Sequence, residues 1–178
     1  MKLQHKSLII IFAVTSIKSF AAEPYEQLDF NGFTAGMNKE AAKKIGMIDC
    51  KYGDKKGEAA DSIYCTIPEE KRQLGELTIT SAKVEFKPPN IDVVHKIHLD
   101  AKNPQSKIIE VLSKEYGQIL SRGSFYVWQN DLGQEISILK RQYSSSSSIT
   151  YSFDRELREQ IRKNKAEQTK KQKTLDNF

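Results

Sequence analysis

The sequence predicts an α+β protein: an antiparallel sheet of two helix-plus-meander units, helices packed on one face, and a projecting C-terminal helix. Three observations predict it. Segments with a two-residue apolar period outnumber helical ones and are joined by short turns rich in Gly, Pro, Asn and Ser. Two segments carry helical apolar spacing, and each is stopped by a glycine. The helices stand apart from runs of strands instead of alternating with them one by one, which argues against a parallel sheet.

Taken in order, Leu28-Asp29-Phe30 reads as a short strand broken by Gly32. Asn38 is a good N-cap for a helix whose Ala41, Ala42 and Ile45 face inward and whose end is Gly46. Residues 47–51 and 62–67 read as two strands, each carrying one cysteine, joined by a turn-rich stretch from Gly53 to Gly57. Leu77, Ile79, Val84 and Phe86 alternate imperfectly with polar residues, and Pro88-Pro89-Asn90 makes a turn. Ile91, Val93, His95, Ile97 and Leu99 then alternate cleanly, as one face of a strand should. Asn103-Pro104 opens a second helix with a cap and an N1 proline; Ile108, Ile109, Leu112 and Tyr116 form its stripe, and Gly117 ends it. Strands follow at 124–129, 135–140 and 148–153, with turns at Asp131-Leu132-Gly133 and Ser144 to Ser147. The halves 25–100 and 101–154 read as two copies of one unit, without residue-level identity between them.

Residues 1–21 read as a cleavable signal peptide. Lys2, His5 and Lys6 give a basic start, Leu8 to Ile17 an apolar run, and Ser19-Phe20-Ala21 a small-residue cut site. The run is short of the roughly 20 apolar residues of a membrane span, although Lys18 at its end leaves an uncleaved anchor as the alternative. No cysteine follows the apolar run, so a lipid-modified N-terminus is not expected. The expected product is a soluble periplasmic or secreted protein with one domain over 22–154 and a basic helix or tail over 155–178.

Charge supports that division. Residues 22–154 hold 17 Lys/Arg against 19 Asp/Glu, a net of −2, whereas 155–178 hold 8 against 4, a net of +4. The pI of about 9.1 therefore belongs to the leader and the tail. A nucleic-acid-binding domain clusters its cations on the folded body, so nucleic acid is not an expected partner. Cys50 and Cys65, an even pair in an exported chain, read as a disulfide across the hairpin; a redox pair or half of a zinc site are the alternatives, but neither the spacing nor the ligand count favours them.

Catalysis finds little support. His95 and His98, with Asp92 and Asp100 nearby, invite a metal reading, but residues three apart on a strand point to opposite faces. The serines from 144 to 148 sit in neither GxSxG nor SxxK. Glu69-Glu70 and Asp131/Glu135 lack an apolar setting to separate their pKa values. No metal or cofactor is expected. Phe125, Tyr126, Trp128 and Tyr143 make an aromatic end; Tyr126 and Trp128 share a strand face and are either core or a partner-binding surface, since Tyr and Trp are common at interfaces. In the tail, Asp154 can cap a helix, Leu157 and Ile161 can pack one turn, and Glu159/Lys163 and Glu167/Lys171 are favourable i,i+4 pairs. Its cations, Arg158, Arg162, Lys163, Lys170 and Lys171 among them, form the second candidate contact surface.

Two stretches carry a resemblance. Gly32-Phe33-Thr34-Ala35-Gly36-Met37-Asn38-Lys39-Glu40-Ala41, and Leu112-Ser113-Lys114-Glu115-Tyr116-Gly117 followed by Trp128 and Gly133, resemble small bacterial envelope proteins built on helix-plus-meander units. The outer-membrane assembly lipoprotein BamE and the β-lactamase-inhibitor protein are of this kind. The resemblance implies binding rather than catalysis, and it does not carry membrane anchoring over, because the lipid-attachment cysteine is missing. The expectation is a non-enzymatic protein-binding or accessory module of inhibitor, immunity or assembly-factor type, with another envelope protein as partner and its oligomeric state open. The alternatives are an envelope-surface component whose basic tail meets anionic lipid, and a hydrolase whose site is assembled from residues far apart in sequence.

Overall fold

A computed structural model describes residues 27–54, 58–141 and 145–154, together with positions 156, 159, 163, 166 and 167. Its centre is a hairpin of two long strands, β6 (Leu77–Lys87) and β7 (Asn90–Ala101), turning at Pro88-Pro89 as the sequence predicts. Outward from β6 lie β4 (Ile63–Thr66) and β3 (Ile48–Tyr52); outward from β7 lie β11 (Ser147–Phe153), β10 (Gln134–Leu139), β9 (Phe125–Gln129) and β8 (Leu120–Arg122). The order is β3-β4-β6-β7-β11-β10-β9-β8, with the two-residue β5 (Gln73–Leu74) also on β6, and each pairing is antiparallel. The protein is thus mixed α and β with a mostly antiparallel sheet and two described helices.

Both helices lie on one side of this sheet. In α1 (Lys39–Ile45) the Asn38 side chain accepts the Glu40 N–H at 2.8 Å, a cap worth about 1 kcal/mol. Gly46 ends α1 at φ 111, a conformation costly for any residue with a Cβ. In α2 (Gln105–Tyr116), Ile108 and Leu112 are fully buried, at the spacing the apolar stripe predicts. Its start departs from expectation. Pro104 occupies the cap position and supplies no side-chain bond, while the Asn103 side-chain Oδ1 accepts the Thr78 N–H at 2.7 Å, tying the helix entry to β6.

Under the helices, Val84 and Phe86 of β6, Ile97 and Leu99 of β7, Ile149 and Tyr151 of β11, Ile136 and Ile138 of β10 and Trp128 of β9 form one core. The small hairpin β1 (Asp29–Phe30) and β2 (Phe33–Thr34) closes it with two buried phenylalanines. The Tyr116 hydroxyl donates to the Asp29 carbonyl at 2.6 Å and lies 3.1 Å from the Tyr151 hydroxyl, joining α2, β1 and β11. Gln134, at the start of β10, ties the chain entering β1 to the β9–β10 turn: its Oε1 accepts from Leu28 N–H and Asn130 Nδ2.

The clean alternation read from Ile91 to Leu99 breaks inside β7. The register against β6 shifts between Glu85 and Phe86, so Val94 is buried where the simple period put Val93 and His95, and Ile91 is exposed. A bulge of this kind adds one residue and exchanges the faces on either side of it. Cys50 and Cys65 form a disulfide between β3 and β4. At the other end of the chain, the Asp154 carboxylate accepts the Glu156 N–H at 2.9 Å. Positions 156, 159, 163, 166 and 167 have helical backbone and are exposed; residues 1–21, read from sequence as a signal peptide, and the rest of the tail lie outside the described residues. No helix among the described residues is long and apolar enough to cross a membrane.

Candidate functional site

The side of the sheet away from α1 and α2 has no described helix upon it. Directly paired residues on neighbouring strands point to the same face, so the register defines this outer face strand by strand. Glu85 lies opposite Lys96, and Lys83 opposite His98. His98 is opposite Thr150 of β11, and Ser137 of β10 is opposite both Thr150 and Val127 of β9. Leu139 is opposite Phe125, Phe125 opposite Arg122, and Val127 opposite Leu120.

Beyond β10 this face is apolar at its surface. Leu120, Phe125 and Leu139 are 45%, 44% and 38% exposed, and they surround Val127, which is only 1% exposed. Arg122 of β8, opposite Phe125, is engaged on this face. Its guanidinium donates to Glu135 Oε2 at 2.8 Å and Gln129 Oε1 at 2.8 Å. Arg122 is therefore held in one geometry by two partners, beside three large apolar groups that meet water.

Near β4 and β6 the outer face is polar and internally satisfied. His98 Nε2 lies 2.7 Å from Glu85 Oε2, and the Tyr64 ring is tilted against the imidazole at 6.1 Å. The Tyr64 hydroxyl accepts the Ala59 N–H at 3.0 Å, and Glu58 pairs with Lys83. Burial pushes the Glu85 carboxyl up, but the hydrogen bond and charge of His98, with His95 and Lys96, overcome it and hold the group below its ordinary value. Burial drives the His95 imidazole down, opposed in part by Glu85. Desolvation raises the Tyr64 phenol. A histidine oriented by a buried carboxylate can act as a base, so the pair has the chemistry a hydrolase would use. Three cavities lined by described residues, of about 220, 270 and 310 Å³, lie elsewhere, around Tyr116, Pro89 and Met37. Among the described residues no group of three His, Cys, Asp or Glu is placed to hold a metal ion.

The sequence-derived site residues separate accordingly. Trp128 is 0% exposed and belongs to the core, which is the first of the two alternatives the sequence left for it and leaves it no part in a partner surface. Strand alternation turns it under the helices. Tyr126 shares that face, half-buried against the core with the Lys140 ammonium 5.1 Å from its ring centre. Phe125, the aromatic on the opposite face, is the exposed one. Lys163 is exposed, whereas Arg158, Arg162, Lys170 and Lys171 lie outside the described residues. Glu135 pairs with Arg122. Sequence reasoning passed over Arg122, Leu120 and Leu139, and it missed β8 itself. The Asn31-Gly32 turn between β1 and β2 was readable, since Asn-Gly is a strong hairpin signal.

Both edges of the sheet are blunted. β3 is entirely exposed but is bulged between Ile48 and Lys51, with Asp49 at φ 51, and β8 is three residues long. Such edges resist strand addition by another chain, leaving the face as the larger uncommitted surface. No protein-family model, no curated protein and no solved structure matches this chain.

Proposed function

We propose that this chain is an exported, non-enzymatic protein-binding module of inhibitor, immunity or assembly-factor type. In this reading the outer sheet face, at β8 to β10, is the surface that holds another envelope protein. The observation that carries it is the contiguous set of Leu120, Phe125 and Leu139 around the anchored Arg122. Exposed apolar clusters mark interaction sites, and a fixed Arg beside an aromatic is the composition of an interface anchor. Support for export comes from the disulfide, which persists in oxidising compartments, and from the leader pattern of residues 1–21.

The strand order supports the two-unit architecture. One unit runs α1-β3-β4-β6-β7 and the other α2-β8-β9-β10-β11, and they abut at their last strands in mirrored order along the sheet. The helix begun at Asp154 is read as projecting from this body, with its cations available to anionic lipid as a secondary contact. The hydrolase reading rests on Glu85 and His98 alone, whose mutual bond and packing against Tyr64 serve the sheet equally well as a structural network.

The test is affinity purification from envelope extract with the native chain and with Phe125→Ser/Leu139→Ser. A stoichiometric partner retained by the first and lost with the second supports the reading. Equal recovery by both, or no partner with either, overturns it. Mass spectrometry of the native protein checks export: the expected chain begins near Ala22 with Cys50 and Cys65 oxidised.

A further inference from the structure

We propose that Asn31 is a deamidation site held shut by the fold, so that the modification is written only into chains whose β1–β2 hairpin has opened. Of the seven asparagines in the chain, Asn31 alone is followed by glycine. That neighbour decides the chemistry, because a residue without a Cβ leaves its backbone nitrogen open to approach by the preceding side chain. In the reaction the Gly32 nitrogen attacks the Asn31 carboxamide carbon and gives its proton to water. The bond from that carbon to Nδ2 breaks, and the nitrogen takes a proton from solvent and leaves as ammonia. Water then opens the cyclic succinimide at either carbonyl, leaving aspartate or isoaspartate at position 31. Asn31 is exposed, so the water is at hand.

In the folded protein both reacting groups are tied up. Asn31 Nδ2 donates to the Lys71 and Gln73 carbonyls, each at 2.8 Å, and the Gly32 N–H donates to Asp29 Oδ1 at 2.9 Å. Asn31 sits at φ 52 and Gly32 at φ 85, the two positive angles of a two-residue hairpin turn. Cyclisation requires the carboxamide to leave two acceptors and the Gly32 N–H to leave a third. Phe30 and Phe33 flank the turn and are 1% and 0% exposed, which ties its opening to the core. The product cannot close in the same way. An aspartate at position 31 has no N–H to donate and sets a carboxylate against two carbonyl oxygens, with the Asp29 carboxylate in the same turn. An isoaspartate also adds a methylene to the backbone of the turn. Asn38 shows the contrast: its Oδ1 accepts the Glu40 N–H, a role that aspartate fills equally well. Position 31 needs the donors of the amide, position 38 only its oxygen. The modification therefore records an opening of the hairpin and keeps it from closing again.

The experiment follows the purified chain by peptide mass spectrometry during incubation in mildly alkaline buffer. One sample is native and the other is unfolded in guanidinium chloride, both with the disulfide intact. In the unfolded chain, aspartate and isoaspartate should accumulate at position 31 ahead of every other asparagine. In the native chain they should accumulate at least about tenfold more slowly, the factor set by an opening free energy of about 1.4 kcal/mol. Thermal melts of two variants complete the test. Asn31→Asp should lower the melting temperature by at least about 2 °C, whereas Asn38→Asp should leave it within about 1 °C of the native value. Equal rates at Asn31 in the native and unfolded samples overturn the protection by the fold. Faster modification at another asparagine of the unfolded chain overturns the site. A native-like melt of Asn31→Asp overturns the claim that the modified hairpin fails to close.

Discussion

The two faces of strand β9 differ more than any two regions of comparable size in the sequence would suggest. Trp128 is enclosed beneath the helices, while Phe125, three residues away on the same strand, meets water beside Leu120 and Leu139. The covered face is built for stability: Ile136, Ile138, Ile149 and Tyr151 pack against Trp128 and α2. The open face of the same strands carries the apolar patch and the anchored arginine. The comparison teaches that apolar content alone does not mark core in this sheet. Parity along the strand does.

The comparison can be broken or sharpened in order of expected effect. Trp128→Ala should cost about 3–5 kcal/mol, the range for emptying a large core site, measured by chemical unfolding; a cost below about 1 kcal/mol would break the assignment of that face as core. Replacing Cys50 and Cys65 together by serine should cost about 3 kcal/mol, because the bridge closes a loop of 15 residues. Reduction of the native protein should produce the same loss. Glu85→Gln should cost about 1.5–3 kcal/mol, the range for a hydrogen bond to a charged group. That loss would show that the polar end of the outer face, unlike the apolar end, stabilises the fold.

Acid should act through the same polar end. The His95 imidazole is held below its ordinary value, so as pH falls below about 6.5 the unfolded chain takes the proton first and stability declines. Glu85 is also depressed; its contribution is complete above about pH 4.3 and is lost as pH falls further, through its folded-state value. Melts across this range should show a shallow decline starting near pH 6.5 and a steeper one below about pH 4.3. His95→Gln should remove the first and keep the second. The smallest effect belongs to Phe125→Ser, expected to cost about 1 kcal/mol, since only about half of the ring is covered.

Much of this architecture was legible in the residues themselves. Asn38 and Gly46 bracket α1 because capping and left-handed closure are local chemistry, and the stripe of Ile108 and Leu112 places α2 correctly. The disulfide pairing follows from having two cysteines on adjacent strands. What escaped depends on partners distant in sequence. The bulge in β7 arises against β6 and moves the buried position to Val94, which no period within residues 91–99 reveals. β8 is a three-residue edge defined only by its pairing with β9. The choice between Phe125 and Trp128 as the buried aromatic was open in sequence, since alternation gives two faces without saying which one the helices cover. Arg122 gains its place from Gln129 and Glu135, brought together only by the fold.

The central claim, that the open face at β8 to β10 is where another protein sits, is tested most directly by photo-cross-linking in intact cells. A benzophenone side chain is placed at position 125, and in a second strain at exposed position 110 on α2. The account predicts one discrete adduct from position 125, carrying a protein other than this chain, and none from position 110. An adduct from 110 alone, or the absence of any adduct from 125, would contradict it.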